Sequence, residues 1–412
     1  MFRRIKIFWI YFSRIGLVVI TFASVQDLII NKLNGQAYQA FLGEQQRSIN
    51  ARYRIGPFSL FPLATFNLGY DNNVFRKPYP EKAVGDYVMR IGFPIDVYLL
   101  SGNWLILSLS TNAEYVYYIK TQAHKNWNYL LSPSIKMLLA ERFVLSGSYV
   151  NSRIWRRPSH EFDIPTFEKN RMYSASLSYD PARSISLNMG YQVGETRHDE
   201  EIYAYSLDRG YQVGQLRVNF RLSPERFFFI EGRYAEIRFK EESVQGRDGK
   251  SYGINAGIQF PLIARLRGTL SLGYGKYEPQ DKDLPAYSGW LGDTSLHYNF
   301  NRFLFRIQYF RSMQFSLGAQ SFFVDESVGT GVSIYLDPLP IRLAYDFIYG
   351  TANYPDGRTD IYRNHTAGLA VRVIRNIGIG VNLAHWERES EIQSWNRKNT
   401  YVFVYLDYAY RF

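Results

Sequence analysis

The sequence has 412 residues, a net charge of +11, no cysteine, and 46% hydrophobic and 17% aromatic residues. So many rings exclude a disordered chain. A mean hydropathy of −0.26 with one long apolar run excludes a bundle of membrane-spanning helices, each of which needs ~20 apolar residues. The missing cysteine excludes disulfide frameworks and cysteine nucleophiles, while the positive charge asks for an anionic partner.

The chain opens MFRRIKIFWIYFSRIGLVVITFAS. Arg3, Arg4, Lys6 and Arg14 form a basic start, and Ile15 to Ala23 a short apolar stretch. This is the grammar of an export signal, expected over residues 1–37 with cleavage after about residue 23 or 37. Arg14 disfavours an uncleaved anchor, because arginine at mid-bilayer costs several kcal/mol. Residues 38–56 are then expected as a short periplasmic segment, and 57–412 as one barrel domain.

From about Phe61 onward, strand-like segments repeat to the last residue. In Arg183 to Gln192, Ile185, Leu187, Met189 and Tyr191 face one way, and Ser184, Ser186, Asn188 and Gln192 the other. The same alternation recurs around 215–222, 265–274 and 303–309. Side chains of a strand alternate between its faces, so each segment has one apolar and one polar face. Eighteen such segments start near residues 61, 86, 104, 126, 142, 171, 183, 208, 226, 251, 264, 287, 302, 321, 340, 363, 376 and 399. Short turns such as Phe300-Asn301-Arg302 alternate with longer polar loops such as Trp155 to Asn170 and Glu195 to Asp208. The pattern predicts an all-β fold, a transmembrane antiparallel up-and-down β-barrel of about 18 strands (16–18), in the bacterial outer membrane. Rings at strand ends, such as Tyr115, Tyr117, Trp127, Tyr129, Tyr345 and Tyr349, fit interfacial girdles. The last strand, YVFVYLDYAYRF, ends on Phe412 and looks like the signal read by the barrel-assembly machinery.

The apolar face then meets outer-membrane lipid, and the polar face lines a lumen. The lumen-lining residues expected are Arg217, Arg221, Arg233, Arg265, Arg267, Arg306, Arg342 and Arg372, with Arg90 and Lys136. Against them stand Asp96, Glu114, Glu231, Asp293, Asp346 and Asp407, an excess of about four positive charges that would draw anions into a pore. The competing reading is that opposed charges simply pair.

Chemical motifs are sparse. Asp293, Ser295 and His297 share a face, but residues four apart on a strand are ~13 Å apart, too far for a direct relay. Asp71-Asn72-Asn73 offers oxygens for calcium, although such residues more often cap turns. Basic residues alternate by face instead of forming a patch, which argues against a nucleic-acid partner. No enzyme activity, metal or cofactor is expected.

The segment GPFSLFPLATFNLGYDNNVFR, followed by GDYVMRIGFPIDVYL, resembles the opening of the beta-barrel porin 2 family of bacterial outer-membrane barrels. The matching positions are Pro62, Gly69, Tyr70, Asp71, Asn73, Val74, Phe75 and Pro94. Some members of that family are associated with exopolysaccharide or capsule export. The resemblance therefore implies a conduit for an anionic polysaccharide, working with a periplasmic export partner. Inward Trp104 and Tyr335 would then offer rings for sugars. The alternatives are a general or anion-preferring diffusion porin with an inturned loop, and a non-conducting surface barrel or adhesin. The oligomeric state is left open.

Overall fold

The computed structural model describes residues 37–51, 53–75, 77, 81–121, 125–139, 142–156, 161, 165–182, 184–223, 226–241, 246–263, 265–317, 321–336, 338–374 and 377–409. The expected signal and its cleavage sites lie outside these residues.

A helix, α1 (Ala37–Ile49), and a short strand, β1 (Tyr53–Ile55), precede the wall. The wall starts with β2 (Phe58–Asp71), β3 (Asp86–Gly92), β4 (Ile95–Ser101), β5 (Leu105–Tyr118) and β6 (Asn126–Leu139). It continues through β7 (Phe143–Arg156), β8 (Thr166–Ala182), β9 (Ile185–His198), β10 (Arg209–Ser223), β11 (Arg226–Phe239) and β12 (Gly249–Ile263). Then come β13 (Leu266–Pro279), β14 (Tyr287–Phe300), β15 (Phe303–Phe315) and β16 (Phe322–Tyr335). β17 (Ile341–Asn353), β18 (Thr359–Ile374), β19 (Ile377–Glu389) and β20 (Arg397–Ala409) complete it. A second helix, α2 (Glu201–Leu207), sits in the β9–β10 loop.

Wall strands pair antiparallel with their neighbours, and β20 returns to β2, with Leu63 opposite Ala409 and Asp71 opposite Tyr401. β3 and β4 are one strand interrupted at Phe93-Pro94. Gly92 faces Thr65 and Ile95 faces Pro62, so the register is unchanged across the break. Proline has no N–H to give the ladder. Its carbonyl still accepts from Leu63 N at 2.9 Å. Counted so, the described strands form a closed barrel of eighteen, as a sheet in lipid requires.

Most strands begin within about three residues of the sequence-based positions. Two begin earlier, β8 at Thr166 and β18 at Thr359. Both run on through charges that the apolar pattern ignores, because those charges are paired. Glu168 meets Arg156, and Asp360 lies 3.6 Å from Arg358.

The faces divide as the alternation requires. Asn67 and Asp71 are covered on the inside, while Leu68 and Tyr70 between them are exposed on the outside. At the long-loop end the outward rings pair across strands, Tyr70–Tyr87 at 5.2 Å, Tyr115–Trp127 at 5.0 Å and Tyr149–Tyr173 at 4.8 Å between centroids. Such a ring layer marks one membrane interface.

The Asp71–Asn73 stretch holds the closing seam together. Asp71 Oδ1 accepts from Asn73 N at 2.9 Å. Asn73 Nδ2 donates to the carbonyls of Lys77 and Lys398, and its Oδ1 accepts from Lys77 N. Asn72 Oδ1 accepts from Thr400 N at 2.8 Å. These oxygens serve the backbone, in keeping with the turn-capping reading.

Candidate functional site

The lumen is built from the polar face of each strand, so register decides what reaches it. Arg217, Arg221, Arg233, Arg267, Arg306, Arg342 and Arg372 fall on the inward register. Arg217 lies 3.6 Å from Glu231, with its guanidinium 3.7 Å from the Phe229 ring centroid. Arg221 stands over Phe227. Arg342 donates to Ser333 Oγ at 2.9 Å and stands over Tyr335. Arg306 and Asp346 form an ion pair across β16, where Gly331 faces both of them. A Cβ on Gly331 would sit 2.2 Å from Asp346 Oδ1, so this ion pair needs the glycine.

Arg265 departs from the expectation. It sits in the turn before β13, and its guanidinium lies 5.4 Å from the ring centroid of Phe300, an outward residue of β14. A residue in a turn is not bound by the strand's alternation.

The register also brings inward charges that the apolar pattern did not reach. The acids are Asp71, Asp86, Glu168, Asp325 and Asp360, against the cations Arg156, Arg209 and Arg388. All lie near strand ends, beyond the apolar band that made the strands visible in sequence. They reduce the expected positive excess, and several are tied locally. Arg388 donates to Trp395 O at 2.9 and 2.7 Å, and Arg209 to Leu207 O at 2.7 Å. Tyr362 donates to Asp325 Oδ1 at 2.7 Å.

The long-loop mouth is crossed by the β15–β16 hairpin. β14 and β15 stay paired only from Phe300 opposite Phe303 up to Gly292 opposite Arg311. Below that level the outward register holds, with Tyr309 stacked on Trp290. Beyond it β15 parts from β14 and the hairpin turns inside, while β16 stays paired with β17 up to Val324 opposite Asn353. Phe315 and Phe322 pack on Tyr277 at 5.4 and 5.8 Å, and Tyr277 faces the lumen and is fully buried. Met313, Val324, Tyr287 and Leu291 complete this cluster.

The hairpin tip then reaches α2 and the end of β11, four strands along the wall. Leu317 packs with Leu207 of α2 and with Ile237 and Phe239 at the end of β11. Ser316 Oγ and Leu317 N donate to the two carboxylate oxygens of Glu161 at 2.7 and 2.6 Å. Arg247 Nη1 donates to Leu317 O at 2.8 Å and its Nη2 to Ser206 O at 2.7 Å. Burial pulls the Arg247 guanidinium below its usual range, and Glu161 beside it works the other way. Two loop charges thus hold the peptide ends of an otherwise apolar tip.

At the short-turn mouth, α1 lies against the inner wall. Phe41 is buried among Tyr98, Ile106 and Val144, all lumen-facing. Glu44 lies 2.5 Å from Lys136, and Arg47 lies 3.0 Å from Asp96 and over the Phe61 ring. Ser59 Oγ donates to Ser48 O, fixing the helix end. Within the segment expected as a short periplasmic stretch, α1 thus packs on the inner wall, and the inward charges Lys136 and Asp96 pair with it.

Of the possible catalytic trio, Ser295 Oγ and His297 Nε2 are 3.0 Å apart, and Asp293 hydrogen-bonds neither side chain. His297 thus lacks the orienting carboxylate that a relay needs.

A family model described as "Putative beta-barrel porin 2" matches residues 182–410, beyond the forty residues that carried the resemblance. No curated protein matches the sequence. Among solved structures, the fold is similar to a BenF-like porin from Pseudomonas fluorescens Pf-5, with 10% identity and a TM-score of 0.52 over 85% of this chain and 98% of that one. It is likewise similar to the outer membrane protein opdK from Pseudomonas aeruginosa, with 10% identity and a TM-score of 0.52 over 85% and 99%. OccAB2 from Acinetobacter baumannii gives 10% identity and a TM-score of 0.51 over 87% and 100%. At such identities the likeness is one of fold.

Proposed function

The chain belongs to the putative beta-barrel porin 2 family of bacterial outer-membrane barrels, and we propose that it is a diffusion channel for small hydrophilic solutes. The observation that carries this reading is the β15–β16 hairpin turned into a lumen lined by polar side chains. An eighteen-strand barrel is wide enough for water. An inturned segment narrows such a barrel to the size of small solutes without filling it. The likeness in fold to a BenF-like porin agrees with this reading.

Polysaccharide export is the weaker reading. A polymer needs a continuous wide path, whereas the tip meets Glu161 and Arg247 across one mouth and α1 lies in the other. The charge argument for it also thins, because inward arginines face Glu231 and Asp346. A channel walled by such mixed charges is expected to favour anions only slightly.

Liposome swelling tests the proposal. Proteoliposomes in uncharged sugars of increasing mass should swell at rates that fall steeply with size, and protein-free liposomes should not swell. Permeation by large oligosaccharides, or by no solute at all, contradicts a small-solute channel.

A further inference from the structure

On one flank of the barrel the outward face above the ring layer carries an unbalanced group of cations. Strand register places Lys169 and Arg171 outward on β8, four and two residues beyond Tyr173 toward the long loops. At ~3.3 Å per residue along strands tilted by ~40°, they stand ~5–10 Å above a ring that marks the interface. Arg153 of β7, Arg197 of β9 and Lys240 after β11 join them at that level.

Two carboxylates organise these five cations. Asp199 is 2.9 Å from Arg153 and 2.5 Å from Lys169. Glu195 is 3.6 Å from Arg171, 3.0 Å from Arg197 and 2.7 Å from Lys240. Arg153 is further held with its guanidinium 3.6 Å from the Phe167 ring centroid. More than half of the Arg171 and Arg197 side chains remains exposed, 58% and 54%. A guanidinium has five N–H donors, so one shared carboxylate leaves most of them unused.

Elsewhere on the outer rim, several of the described cations have acids of their own. Arg363 and Lys398 face Glu387 and Glu389, while Arg311 faces Glu326 and Lys276 faces Glu278. A merely solvated rim would have no reason to collect its excess on β7 to β11. These cations also point away from the lumen, so the channel makes no use of them.

We propose that the outward cluster of Arg153, Lys169, Arg171, Arg197 and Lys240 docks the phosphate groups of a phosphorylated glycolipid in the outer leaflet. Arginine pairs bidentately with phosphate, and the height of the cluster above the ring layer is that of lipid headgroups. The two acids set the spacing of the cations and leave a net positive charge for the ligand. This goes beyond the channel function, and either could fail alone.

The test uses the full-length refolded protein in detergent with a bis-phosphorylated lipid A and its dephosphorylated form. Binding is read by co-migration and by the shift in unfolding temperature. The phosphorylated lipid should bind wild type and raise its unfolding temperature. Arg171→Gln/Arg197→Gln should bind roughly tenfold more weakly, as expected for loss of charge-assisted contacts. Arg363→Gln, on the balanced flank, should bind like wild type. Retention of the compact, heat-modifiable band in each variant separates lost binding from lost folding. Equal binding of the dephosphorylated lipid, an unchanged affinity in the double variant, or an equal shift with inorganic phosphate alone would overturn the assignment.

Discussion

Asn73 carries more structure than its place after the first strand implies. Its side chain joins Lys77 in its own loop to Lys398 at the start of the closing strand. Asn73→Ala removes these bonds and leaves buried backbone groups unmatched, at a cost of about 1–3 kcal/mol. The barrel should therefore unfold at lower denaturant in lipid vesicles, and an unchanged midpoint would contradict the role. Asp199 gives the pH dependence at this scale. Burial opposes its charge, but hydrogen bonds from Lys169 and Arg153 outweigh burial and hold its carboxyl below the usual range. A lowered folded value stabilises above the unfolded pKa of about 3.9, and this is lost as pH falls through the folded value. Asp199→Asn should therefore cost less than about 1 kcal/mol at pH 7 and a smaller amount near pH 3, as a partly exposed pair allows. Comparing unfolding midpoints at the two pH values checks it.

The β15–β16 hairpin and α1 are the two elements that pack against the inner wall, and neither was legible in the sequence as such. Met313 and Phe315 alternate with polar residues just as lipid-facing side chains do, and Phe322 to Val324 is a short unbroken apolar run. Alternation reports that a face is apolar, and it does not report whether lipid or a folded-back wall covers it. One signal was available: the tip sequence FSLGAQSFF holds no charge, although it stands where an external loop should be polar. For α1, the sequence around Phe41 is too short and too weakly patterned to announce a docking site. Glu161→Gln weakens the acceptor of Ser316 and Leu317 N, and it should lengthen or increase channel openings in planar bilayers. At the other mouth, Lys136→Glu should repel Glu44 and raise the open probability. Adding Glu44→Lys should restore the closed fraction, because the pair is rebuilt with its signs exchanged. Failure of that rescue would show that Phe41, not the ion pair, holds the helix.

At the scale of the whole molecule, the barrel itself was readable from period-two alternation and alternating turn length. The strand number, the order and the inward register of nearly all the named charges follow from them. What the pattern could not supply was the charge beyond the apolar band. Glu168 and Asp360 sit at strand ends that read as loop, so the lumen seemed more cationic than its wall is. Part of the positive charge instead lies on the outer rim, on Arg153, Arg171 and Arg197, where it serves no solute path. The channel account stands on a polar lumen narrowed by one hairpin. Its most direct test is single-channel conductance of the refolded protein beside a variant in which residues 316–321 are replaced by a short Gly-Ser link. The account predicts a small wild-type conductance with slight anion preference, and a several-fold larger one in the variant. Equal conductance in the two proteins, or none in either, would contradict it.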